Sequence, residues 1–368
     1  TGDITIGAVT GGNNNLTLDT TASTGSASHT FTGDINLGSG ALSVTGDVVL
    51  GANISVTATG GIVFNDAIDA DNASSNDRTL TLNAGTGSAI SVTGGIGGSQ
   101  ALAGLTVSQS NAATFLGAVD VSDSSSGTIT LTDTTDNRNI GFNGNVTADT
   151  FTTAAQGYNL SLNGNTTIAN AVTFQNTGTL TLGNTSADTF TFNGGVTENT
   201  SGTVTIHGAI VSSNDTISFG AITLGQNLSV TSAGGAISIG AITSSAARDV
   251  TITSSGGSTN TITLSTLTDG NMNTVTVTAG TSITLTGNIT TNDASGNTVT
   301  LTAPSINAGS VTIDTNNTNN DGNVSFIVNN LTNTGTIDAG TATFQIAPNT
   351  ASHVIEFGSS NSGNISED

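Results

Sequence analysis

Cysteine, lysine and tryptophan are absent from the 368 residues, and proline (2), methionine (1), tyrosine (1) and arginine (3) are nearly so. Without cysteine there is neither a disulfide framework nor a thiolate metal site, so order has to come from backbone pairing and a buried core. Three cationic side chains face 25 acidic ones, giving a formal charge of −22. A chain so charged repels phosphate backbones and anionic headgroups, which argues against nucleic acid and against a membrane surface as partners. No apolar run has the length of a membrane span and no secretion signal is visible, so no membrane insertion is expected in this segment. The first residue is Thr1, not Met, and the sequence reads as a portion of a longer chain.

What the sequence does contain is a short phrase: an apolar residue, Thr or Ser, then Leu, Val or Ile. Copies begin at Leu16, Leu42, Ile54, Leu80, Leu105, Ile129, Leu160, Leu180, Val204, Leu228, Val250, Val275 and Val299. Most intervals lie between 20 and 26 residues, with 12 (Leu42 to Ile54) and 31 (Ile129 to Leu160) standing apart. A second phrase, with a large apolar residue followed by a spacer, Gly or Asn, a small residue and Ile or Val, recurs at His29–Asn36, Ile62–Asp69, Ala113–Asp120 and Ile140–Thr147. Gly or Asn at the bend suits a corner that needs positive φ. Each unit therefore reads as strand, variable loop, strand, tight bend, strand.

Three short strands per turn of about 24 residues predict an all-β solenoid, a parallel β-helix in which each turn buries its apolar face only against its neighbours. The crossover rule makes its coil right-handed. Residues 1–301 are expected to form one continuous β-helix, and 302–368 a less regular continuation or its terminal turns. Pro304 and Pro348 should lie at corners or strand starts, because proline cannot donate to a ladder.

Several side chains are candidates for particular roles. Phe31, Phe64, Phe115, Phe142, Phe192, Phe219 and Phe326 occupy the large apolar position of the second phrase or a close variant, and in-register turns would stack them as an internal ladder along one edge of the core. Thr128 and Thr130, Thr203 and Thr205, Thr274 and Thr276, and Thr298 and Thr300 alternate along strands. They suggest a flat face of hydroxyls and methyls resembling that of ice-binding β-solenoids. Thr is also simply a good strand residue that keeps an outer face soluble.

Asp66, Asp69, Asp71 and Asp77 are the densest acidic group and a calcium candidate, although neither an EF-hand loop nor a Gly-Gly-x-Gly-x-Asp repeat accompanies them. His29, His207 and His353 are isolated, with no partner at metal-ligand spacing. Arg78 and Arg248 lie beside Asp77 and Asp249, and Arg138 near Asp133 and Asp136, as expected of charge pairs at corners. With no Lys, no Trp and one Tyr, the side chains that polysaccharide-cleaving β-helices use are missing, and no enzyme, catalytic residue or resident cofactor is expected.

The Thr-rich strand phrases, runs such as Ile237-Ser-Ile-Gly-Ala-Ile-Thr243 and the stretch Gly340-Thr-Ala-Thr-Phe-Gln-Ile-Ala-Pro-Asn349 resemble the β-strand-repeat region of large Gram-negative surface proteins, the filamentous haemagglutinin-like adhesins and autotransporter passengers. The resemblance implies a right-handed parallel β-helix, export across both membranes, and adhesive or structural work outside the cell, as in filaments and biofilm. The functional expectation is thus an extracellular or cell-surface rod acting in display, cell adhesion and self-association. Its partners would be copies of itself, end to end or side by side, or a host or cell-surface glycan or protein. The alternatives are a module that binds a carbohydrate or ice surface through the Thr face and, last, a polysaccharide-active enzyme.

Overall fold

Alternation is the local cause of the fold. In the segment 47–64 the strands Asp47–Leu50, Ile54–Ala58 and Ile62–Phe64 place Val48, Leu50, Ile54, Val56, Ile62 and Phe64 inward, each at most 2% exposed, while Val49, Ser55, Thr57 and Val63 point outward. β-Branched residues suit the pleat, and the period of two puts every apolar side chain on one side. The computed structural model describes residues 3–20, 27–71, 78–123, 126–256, 259–268, 272–291, 298–316 and 321–352.

Those three strands make one turn, and the pattern of first, second and third strand repeats along the chain with every described pairing parallel. The fold is a parallel β-solenoid with three strands per turn. In the third strands Leu16, Leu42, Ile62, Ile90, Ala113, Ile140, Leu160 and Leu180 are in-register rungs. Further along, Ile222, Ile242, Leu267, Ile289, Ile313 and Ile337 are another such set. Turns run from 19 residues (His29 to Val48) to 28 (Ile62 to Ile90) around the expected 24, because corner loops absorb the difference without disturbing the register.

The chain divides into two compact units, one comprising Thr1–Asn184, Asp188–Asn193 and Glu198–Val204, the other Thr185–Ala187, Gly194–Thr197 and Thr205–Asp368. In the first unit a chain of rings threads the interior. Phe115 stacks on Phe142 (centroids 4.7 Å, planes 11° apart), and Phe142, Phe151, Phe174 and Phe192 follow at 6.1, 6.1 and 6.0 Å. In the second unit Pro304 lies where the strand Thr298–Gly309 passes from the first ladder (Ala303 beside Val328) to the second (Ser305 beside Asn330), at a corner as expected.

The thirteen copies of the Thr-centred phrase do not share one ladder. Those at Leu16 and Leu42 are third strands, those at Ile54, Leu80, Leu105 and Ile129 second strands, those at Leu160, Leu180 and Val204 third strands again, and the last four first strands. The odd intervals of 12 and 31 residues mark two of these switches. All three faces need an inward apolar pair around an outward hydroxyl, so the phrase identifies a strand and not its face.

The seven phenylalanines of the second phrase divide in the same way, which corrects the expectation of a single edge. All are in the core, but Phe31, Phe192 and Phe326 are on first strands, Phe219 on a second strand, and Phe64, Phe115 and Phe142 on third strands. Of these, Phe115 and Phe142 are adjacent in register; Val92 separates Phe64 from Phe115.

Candidate functional site

Corners come first, because they employ most of the polar side chains. The residue just before the first inward residue of a strand is repeatedly Asn, and its Oδ1 accepts the amide N–H of the residue stacked one turn further on. Asn15 holds Ala41 (2.9 Å), Asn53 holds Thr79 (3.1 Å) and Asn159 holds Thr179 (2.8 Å) in the first unit. Asn227 holds Asp249 (3.1 Å), Asn288 holds Thr312 (2.8 Å) and Asn323 holds Thr343 (2.9 Å) in the second. Asp34 and Asp47 act alike on Ser55 and Ala67. A carboxylate satisfied by a backbone amide needs no cation, which accounts for part of the acid excess in a chain with so few basic residues. The Asn159→Ala variant, which loses the bond to Thr179 and the one from Nδ2 to Asn137 O, is expected to cost about 1 kcal/mol in denaturant unfolding.

The acidic group expected to hold calcium is spread out. Asp66 Oδ2 accepts the Gly46 amide (2.7 Å), Asp69 Oδ1 accepts the amides of Ser99 (2.8 Å) and Gln100 (3.1 Å), and Asp71 takes Nε and Nη2 of Arg78 at 2.6 and 2.7 Å. These hydrogen bonds push the Arg78 guanidinium above its ordinary range. Asp77 lies outside the described residues, and among those described no three acidic or histidine groups converge in a way that would hold a metal ion. Arg78 therefore pairs with Asp71, seven residues away. Arg248 donates to the Gly225 carbonyl (2.7 Å), while Asp249 receives the amides of Asn227 and Asn273.

His29 occupies an inward position, fully buried, with Nε2 3.1 Å from Thr45 O. His207 lies over Gly225, where a Cβ would come within 2.0 Å of its ring. His353 is outside the described residues. Tyr158, the one tyrosine, is fully buried and donates to Leu131 O at 3.2 Å. Burial pushes its phenol far above the ordinary value near 10. The folded state thus holds this proton more tightly than the unfolded chain. The resulting stabilisation is complete below about pH 10 and is lost as pH rises from there toward the folded value. In an alkaline titration the phenolate absorbance should appear only together with loss of the β-sheet circular dichroism.

Among the threonines, the structure brings together Thr274, Thr276, Thr298 and Thr300, on first strands of the second unit. Thr128 and Thr130 are on a second strand of the first unit, Thr205 is in the third strand Val204–Ile206, and Thr203 just precedes it. The first-strand face of the second unit is wider than the sequence suggested. One in-register file runs Ala209, Ser229, Thr251, Thr276, Thr300, Ser325 and Gln345. A second, two residues along each strand, runs Val211, Thr231, Thr253, Thr278, Thr302, Ile327 and Ala347. Neither file contains a charged residue. By contrast, the third strands of this unit end in stacked Asp314 and Asp338, and first strands of the other unit carry Asp69 and Asp120 outward.

Fold and faces together define a class, a repeat protein of the parallel β-helix kind whose outer faces are files of small polar side chains. Beyond that class, no family model, no curated protein and no solved structure matches the chain. Among the described residues no helix is long and apolar enough to cross a membrane.

Proposed function

We propose that this chain is a structural and adhesive element that works outside the cell, part of a large surface protein or fibre, serving display, attachment and self-association. The observation that carries the reading is the use to which the polar side chains are put. Carboxylates and amides of the kind that serve chemistry elsewhere, such as Asp66, Asp69 and Asn159, are bonded to backbone amides of neighbouring turns, and Asp71 to Arg78. The outer faces offer instead the same small hydroxyl side chains rung after rung, a surface suited to many weak identical contacts. Stability that rests on parallel ladders with no cysteine is indifferent to redox conditions, which suits an exported protein.

The test is attachment. Beads coated with the 368-residue chain should bind to host-type cells or to a glycan array, and should clump with one another, above beads carrying an unrelated acidic protein of similar charge. Beads that neither attach nor clump would contradict the reading, and turnover of any glycan on the array would replace it with an enzymatic one.

A further inference from the structure

The double file on the second unit has two properties that threonine's strand propensity does not explain. It is uncharged over seven successive rungs in a chain of net charge −22, and its second file ends in apolar side chains, Val211 at one end and Ile327 and Ala347 at the other, although these positions point away from the core. A face that only had to stay soluble would tolerate Asp within these two files, as the third strands do at Asp314 and Asp338, whereas here Asp249 stands only at their flank. We infer that this face is the contact through which a second copy of the chain packs side by side, the same patch meeting itself across a two-fold axis. The inference rests on the proposed self-association and names its surface.

The physical case has three parts. Two copies each carrying −22 repel at every charged surface, so an approach through the two uncharged files costs little; Asp249, which flanks them two residues before Thr251, already accepts the side-chain amides of Asn227 and Asn273, and beyond about 8 Å salt screens the remainder. In-register parallel strands with like side chains above one another are the geometry in which two sheets close into a dry, interdigitated seam. Here the covalent solenoid supplies that register in advance, so little ordering entropy remains to be lost on association. A patch that meets its own copy by a two-fold operation closes on itself, and so gives dimers.

The size of the patch sets the strength. Seven rungs about 4.8 Å apart, and two files about 6.7 Å apart with their side chains, cover roughly 30 by 15 Å. Burying this on both partners removes roughly 900 Å² from water, well below the roughly 1,200–2,000 Å² of a stable specific interface and in the range of weak, transient contacts. The association is therefore weak and concentration-dependent, strengthened when many copies are held together on a surface.

Sedimentation velocity of the whole chain over a wide concentration range tests this. Wild type should pass from monomer to dimer. Thr276→Glu with Thr278→Glu, which places four like charges at the seam, should raise the concentration needed at least about tenfold. Ser238→Glu with Thr263→Glu, outward on the neighbouring second-strand face, should leave it unchanged. Mixing the glutamate pair with a Thr276→Lys, Thr278→Lys pair should restore dimers, a rescue that misfolding cannot mimic. If the glutamate pair dimerises like wild type, the face is wrong while self-association stands. If wild type stays monomeric at every concentration, the contact does not exist, and bead attachment to cells still decides the adhesive reading. Thermal hysteresis shown by a monomeric protein would assign the face to the lattice of ice and overturn the inference as well.

Discussion

Replacing Phe142 with alanine is expected to lower the unfolding free energy by about 3–5 kcal/mol. The ring is fully buried and lies at the junction of the aromatic chain, stacked on Phe115 at 4.7 Å and edge-on to Phe151 at 6.1 Å. Truncation loses the burial of the ring, leaves a cavity that a stack held by ladders on every side cannot collapse, and forfeits ring contacts worth about 0.5–1.5 kcal/mol each. In a solenoid each turn is supported only by its neighbours, so the damage should spread along the stack nearby. Chemical denaturation followed through Tyr158, the one tyrosine in a chain without tryptophan, reads it directly. Phe142→Leu should recover most of the loss, since leucine already occupies the next two rungs at Leu162 and Leu182.

The second large effect is expected from a methyl group. Gly94, Gly117, Gly144 and Gly164 stack at the corner between third and first strands, and a Cβ on any of them would strike the backbone of the turn before it. On Gly144 it would lie 2.5 Å from the Gly117 carbonyl carbon, and on Gly164 2.7 Å from that of Gly144. Backbone that is itself held in a ladder cannot give way cheaply, so Gly144→Ala should cost about 2–3 kcal/mol. Gly87→Ala is the control, because a Cβ there meets nothing within 4 Å. It should be neutral, or stabilising by up to about 1 kcal/mol through the unfolded state. If both substitutions cost the same, the close corner packing is not what limits the fold.

The sequence made the strands and the turn length legible because inward Leu, Ile or Val around an outward Thr or Ser is a local pattern, as at Val275-Thr276-Val277. The face on which a phrase lies is not local. Leu42 and Ile54 begin the same phrase 12 residues apart and are on different ladders of one turn, because every face obeys the same rule. The phenylalanine division follows from that, since Phe31 and Phe64 approach within 6.4 Å across the interior from different strands. The corner asparagines carry a sequence signal of their own, Asn directly before the phrase at Asn15, Asn53, Asn159 and Asn227. The double file on the second unit required register, because only stacking sets Thr251 beside Thr276 and Thr253 beside Thr278.

The central claim is the in-register stack, and the absence of cysteine makes it measurable with pairs of introduced spin labels. Ser55, Thr81, Thr106, Thr130, Thr152 and Thr173 form one outward file in the first unit. Double electron–electron resonance on Ser55→Cys combined in turn with Cys at Thr130, Thr152 and Thr173 should give mean distances that lengthen by about 4.8 Å for each rung, whatever the number of residues between them. Distances that do not rise in steps of about 4.8 Å would contradict the stack and with it the faces on which the proposed function depends.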